Sequence, residues 1–257
     1  MGEIDDVATG LVSIAIGGAA VWARSQAADR LRYRHARGFW HGLTSPELTV
    51  VVGLHPEPFL TIWEPSGLLG LGDAFALAEL QRQLDRIGVR QPAIMYSDRI
   101  SSKDWRKDLI LIGSPDANDV THKVMSRLDT TLHFGDPASH EVALHDTLTQ
   151  TVYIPRSLIN GEGIDYGLLI RASNPFNPKA TVLIIAGSFG YGSWAGARLV
   201  TDKAFLKEPL VASGLPFECL FTTSVIDREP QRIDSLLIRS LNETKGLPAD
   251  VLPPSTV

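Results

Sequence analysis

The 257-residue chain has one cysteine, Cys219, and carries no excess of positive charge. A single cysteine cannot close an internal disulfide, which excludes a stapled secreted domain and fits a reducing compartment. Cys219 sits in FECLFTTSV, which reads as a core strand holding a buried, inert thiol. A formal net charge of −5 gives no global drive toward nucleic acid, whose binding rests on basic surface, so no nucleic-acid partner is expected. The acidic start MGEIDD is the reverse of a signal peptide's basic leader, so no cleaved secretion signal is expected. The chain also lacks an internal repeat and a complete catalytic motif. His133, Asp136, His140, Glu141, His145 and Asp146 lie close in sequence, but not at the spacing of a helix-borne metal pair, and no metal is expected. No motif requires a cofactor, so any cofactor is unknown.

What is present begins with an uncharged stretch. After a short tail, 1–6, residues 7–23 contain no charge. At about 1.5 Å per residue such a helix just spans a hydrocarbon core of about 30 Å. We expect an uncleaved single-pass transmembrane anchor; a helix buried in a soluble assembly is the other reading. Arg24, Arg30, Arg32, Arg34, His35 and Arg37 follow it in a basic juxtamembrane helix, 24–40, ended near Gly38. These side chains favour anionic membrane lipid on the cytoplasmic side, placing the C-terminal bulk in the cytoplasm at the inner membrane. Ser13 and Gly17, like Ala15 and Ala19, stand four apart, a spacing that lets spanning helices approach closely and suggests a homo-oligomer.

Residues 41–241 read as one α/β domain, with a hydrophobic fraction of 44% in the whole chain. LTVVVG at 48–53, DLILI at 108–112 and TVLIIAG at 181–187 are apolar runs bounded by turn residues, as buried strands are. Shorter strands are expected at 59–63 and 93–96. Helices are expected over 74–87, capped by Asp73, and over 119–128. Strands at 131–134, 148–154 and 166–172 form an inserted antiparallel element, the last two as a hairpin across Asn160, Gly161 and Gly163. Strands at 217–225 and 233–240, joined across 227–230, complete the pattern, and 242–257 reads as a disordered tail. The alternation of strand and helix predicts a Rossmann-like, mainly parallel sheet, preceded by the N-terminal helix. Its carboxyl edge would gather the loops 53–58, 113–118 and 187–193, where open α/β folds bind ligands.

TVLIIAGSFGYGSWAGARLV, at 181–200, carries the most information: a strand, a glycine-rich loop and a helix start in succession. Amides at a helix start receive anions, and glycines let a ligand approach the backbone. Gly190, Gly192 and Gly196 nearly reproduce a dinucleotide fingerprint but have one residue too many before the third glycine, so a tight turn for helix-to-sheet packing competes with a dinucleotide site. Ala186, Ser188 and Gly190 resemble a nucleophile elbow, yet no histidine follows them in the chain. Asp116 and Asn118 precede a helix, where such side chains cap amides or contact ligand. The candidate ligand-binding residues are Gly53, Asp73, Gly113, Ser114, Asp116, Asn118, Gly187, Ser188, Gly190, Gly192 and Ser193; no catalytic residue is assigned.

LILIGSPDANDVTHKVMSRL and YGLLIRASNPFNPKATVLIIAGSFGYGSWAGARLV, about a quarter of the chain, resemble segments of the C-terminal α/β domain of archaeal S-layer-like proteins and related prokaryotic proteins. The matching residues are Gly113, Pro115 and Asn118, then Asn174 and Pro175, then Ala186, Gly187, Gly192, Ser193, Trp194 and Ala195; Ser114 departs from a second glycine. The resemblance implies a fold and a noncatalytic sensing or interaction role, and brings no catalytic residues. The expectation is therefore a membrane-anchored cytoplasmic domain that senses a small anionic or nucleotide-like ligand or holds a protein partner. The alternatives are an enzyme acting on a nucleotide or nucleoside through Asp73, Asp116 and Ser188, and a structural membrane scaffold.

Overall fold

The computed structural model describes residues 36–54, 67–89, 91–135, 142–156 and 161–241. The expected anchor 7–23, most of the basic segment, the strand at 59–63, the loop after Leu54 and the tail from 242 lie outside them. Among the described residues no helix is long and apolar enough to cross a membrane.

The chain opens with a short helix α1 (Arg37–Trp40), then β1 (Thr49–Val52), α2 (Leu71–Arg86), β2 (Ala93–Tyr96), β3 (Leu109–Ile112) and α3 (Asp119–Met125). Three short strands follow, β4 (Leu132–Phe134), β5 (Leu144–Asp146) and β6 (Thr151–Tyr153). Two long ones come next, β7 (Gly163–Asn174) and β8 (Asn177–Gly187), then α4 (Gly190–Leu199), α5 (Pro209–Ser213), β9 (Phe217–Ile226) and β10 (Glu229–Ser240). The seven-stranded sheet runs β10-β9-β7-β8-β3-β1-β2, and β4-β5-β6 make a separate antiparallel sheet.

The α/β class holds, but the main sheet is mixed, and the separate antiparallel sheet differs from the expected one: 166–172 belongs to β7 of the main sheet, and β5, which was not expected, takes its place. β2, β1, β3 and β8 are parallel neighbours, whereas β8 with β7, β7 with β9 and β9 with β10 are antiparallel. The cause is the connections: β7 to β8 and β9 to β10 are hairpins with two residues between strands, too short for the crossover that parallel pairing needs. The hairpin expected between 148–154 and 166–172 is absent, because β7 pairs with β8 and β9 and meets the preceding segment only at one bridge, Arg156 with Ile164.

Alternation along each central strand divides the core between the two faces. Val50, Val52, Ile110, Ile112, Leu183 and Ile185 pack with Leu80 and Leu84 of α2 and Ala195 and Leu199 of α4. Val51, Leu109, Leu111, Val182 and Ile184 point the other way, onto Val120 and Val124 of α3 and Leu132 and Leu144 of the small sheet. Cys219 is buried and free on the first of these faces, and burial pushes its thiol pKa up to about 12, as an inert core residue requires.

The helix expected to stop near Gly38 instead runs through it, since Phe39 and Trp40 are buried and Gly38 lets α1 touch α5: a Cβ there would lie 1.8 Å from the Ala212 carbonyl oxygen. Arg171 of β7 fixes this corner, donating to the carbonyls of Phe39 at 2.9 Å, His41 at 2.6 Å and Gly214.

A second polar cluster joins the two sheets. Arg239 of β10 ion-pairs with buried Asp146 of β5 and lies 3.4 Å from buried Glu218 of β9, which also accepts from Thr130 and Thr131. Burial works to raise the Asp146 pKa, yet Arg239, Thr149 and the amides of Leu148 and Thr149 hold it down at about 2. Replacing Arg239→Ala leaves two buried carboxylates without their cation and is expected to cost about 3 kcal/mol. Because Asp146 is depressed below its unfolded value of about 3.9, the contribution is present above that pH and lost as pH falls toward 2. Urea denaturation of both proteins at pH 7 and pH 3 checks this: the deficit should be large at pH 7 and shrink at pH 3.

Candidate functional site

α2 leaves β1 toward one face of the sheet and α3 leaves β3 toward the other, so β1 and β3 flank a point where the chain reverses its winding. Ligand crevices of open sheets form there. A cleft of about 860 Å³ opens at this edge, within the range of small-molecule sites. Its floor is the start of α2 and the start of α4, which meet backbone to backbone: a Cβ on Gly72 would lie 2.2 Å from Gly190. Two positive helix ends therefore face one space. Gly70, the N-cap of α2, supplies no side-chain cap.

The cleft gathers residues from two of the predicted loops and from the first turn of α2; among the described residues the loop after β1 contributes none. Asp73 lines it from the first turn of α2, Ser114 and Asp116 from the loop after β3, and Gly187, Ser188, Gly190 and Ser193 from the β8-to-α4 turn. Asp73 is buried and does not cap a helix at 74; α2 starts a turn-fraction earlier, at Leu71, so its carboxylate sits within the first turn. The Ser114 hydroxyl bonds to the exposed Asp116 carboxylate, and the buried Ser188 Oγ has no hydrogen-bond partner among the described residues.

Four predicted residues do structural work outside the cleft lining. Asn118 is buried; its Oδ1 accepts from the amides of Val120 at 3.0 Å and Thr121 at 3.1 Å, while Nδ2 donates to the Ile112 and Val51 carbonyls, so it caps α3 and ties β3 to β1. Gly53 passes the loop after β3, where a Cβ would lie 2.6 Å from the Ala117 oxygen. Gly113 turns with φ +105° beside Asp73. Gly192 packs on β7: a Cβ would lie 2.5 Å from the Tyr166 oxygen. The spacing of Gly190, Gly192 and Gly196 thus answers three different neighbours, α2, β7 and the side chains of Ile185 and Phe221, as close packing demands.

No protein-family profile and no curated protein matches the chain.

Several cleft features were not predicted. Asp165 of β7, fully buried, accepts from the amides of Gly192 at 2.7 Å, Tyr166 at 2.8 Å and Phe189 at 3.2 Å. The protein's own carboxylate thus occupies part of the helix start expected to receive an external anion. Phe75 is 40% exposed and stacks on Trp194 with ring centroids 4.3 Å apart. Phe189, 42% exposed, and Tyr191 add further aromatic surface to the cleft, and Arg228 adds a cation. Asp165 is a lone acid in an otherwise unremarked segment, and only the β7-to-α4 contact assigns it.

Burial pushes the Asp165 pKa up to about 7, opposed by the Gly192, Tyr166 and Phe189 amides. Since its unfolded value is about 3.9, the native state holds the extra proton between those values, and stability falls as pH rises through that window. Asp165→Asn cannot titrate, so the variant's stability should gain on that of the wild type between pH 4 and pH 8; parallel urea midpoints across the range would refute this. Gly192→Ala should cost about 2 kcal/mol or more by overpacking, read by the same denaturation.

Proposed function

We propose that the chain is a ligand-binding α/β domain whose cleft takes a small nucleoside- or nucleotide-like molecule and reports its occupancy to a partner. The carrying observation is the meeting of the α2 and α4 starts at Gly72 and Gly190 on the floor of the cleft, with aromatic faces and acidic side chains around it. Helix starts favour anionic or electron-rich groups. Phe75, Phe189 and Tyr191 offer surface for a planar ring, and Asp73 and Asp116 offer acceptors for sugar hydroxyls. The uncharged segment 7–23 and the arginines after it support attachment to membrane lipid with this domain on the cytoplasmic side, where pairing of anchors would carry the signal to a second copy.

A second reading is an enzyme acting on the same ligand class. It is favoured by one observation: Asp73, Asp116 and the unpartnered Ser188 hydroxyl line one cleft.

The test is a thermal-shift screen of the full chain against nucleosides, nucleotides, dinucleotides and sugar phosphates. A ligand at a hundred times its dissociation constant stabilises by about 2.7 kcal/mol, a rise on the order of 5 to 10 °C for a domain of this size. Phe189→Ala, at an exposed position, should leave the fold intact and weaken the hit about tenfold by loss of stacking. A hit indifferent to Phe189→Ala and Asp116→Ala would place binding elsewhere. Product formation from the bound ligand, lost in Ser188→Ala, would select the enzyme reading.

A further inference from the structure

The β9-to-β10 hairpin turns on Asp227 and Arg228, whose φ values are 51° and 62°. Both lie in the left-handed region, as a two-residue turn of this hand requires, and the second position is where glycine is ordinarily used. An arginine there holds a conformation that a side chain disfavours, and such local strain marks positions with a task besides folding.

The surroundings are shaped to it. The Arg228 amide donates to the Gly161 carbonyl at 2.9 Å, and a Cβ on Gly161 would lie 2.5 Å from Arg228 Cγ, so the glycine makes room for the side-chain stem. Arg228 thereby reaches the cleft, and among the described residues it is the cation lining it. Three other arginines of the domain are engaged: Arg198 with Glu79 and the Pro230 carbonyl, Arg171 with three carbonyls, and Arg239 with Asp146. The Arg228 guanidinium has no ion pair among the described residues.

We infer that Arg228 binds an anionic phosphate group of the cleft's ligand, so that the site selects phosphorylated over unphosphorylated forms of the same molecule. This rests on the reading of the cleft as a nucleoside- or nucleotide-type site. A guanidinium fork matches phosphate oxygens in a bidentate way that an ammonium does not, and the start of α2, which has no side-chain cap, adds the same sign of potential. Asp73 and Asp116, also on the lining, disfavour a phosphate beside them and leave the Arg228 side as its place.

The experiment titrates the full chain with matched pairs: adenosine and AMP, uridine and UMP, ribose and ribose 5-phosphate. Binding is followed by calorimetry and by the fluorescence of Trp194 on the cleft wall, with Trp194→Phe to identify that signal. The phosphorylated member of a binding pair should bind at least tenfold tighter, with an affinity that falls as salt is raised. Arg228→Gly removes the cation while giving the turn its preferred residue, so the melting temperature should stay or rise while the phosphate preference disappears. Its affinity for the unphosphorylated member should be unchanged, and Arg228→Lys should fall between. Equal binding of both members, or an equal loss of both in Arg228→Gly, would overturn the role of Arg228 and leave the cleft reading standing. Binding of no pair would overturn both.

Discussion

The start of α4 is held by a carboxylate that the chain itself provides. Asp165 reaches from β7 to the amides of Phe189 and Gly192, and this bond sets where the glycine-rich turn lies against the sheet. Three consequences follow from that placement. Gly192 is pressed onto the β7 backbone, Gly190 is carried onto Gly72 of α2, and Trp194 is brought under Phe75. The cleft exists because two helix starts are drawn to one point, and their approach needs glycine on both sides.

The remainder of the domain serves as a frame around that point. Arg171 closes the corner formed by α1 and α5, and Arg239 fastens the small sheet to the large one through Asp146 and Glu218. These cations bond to backbone or carboxylate oxygens and stand apart from the cleft. Asn118 and Asn174 play the same role with neutral side chains: the first joins the ends of β1 and β3, and the second ties the β7-to-β8 turn to the carbonyls of Trp105 and Lys107.

The loops expected at the carboxyl edge come together where described, and Asp73, Ser114, Asp116, Ser188 and Gly190 share a cleft as local turn and helix signals suggested. Asn118 was legible as a cap, and its side chain is fully engaged in capping and strand tying. Gly192 was legible as a glycine needed for close approach, but what approaches is β7. Asp165 and Arg228 were illegible because each acts through a segment distant in sequence, and neither sits in a pattern that announces such a contact.

Apolar runs by themselves marked β1, β2, β3, β8 and β9 and the helices α2 and α3, and Gly and Asx residues marked many of the turns between them. Those signals are local: they depend on the periodicity of a few residues and on the backbone freedom of one. Tertiary structure alone decided that β7 lies between β8 and β9, which glycine meets which backbone, and which charges are engaged and which left facing the cleft. Strand order and burial depend on partners brought together across long stretches of chain, and hydrophobic periodicity is the same for a strand whichever neighbour it takes.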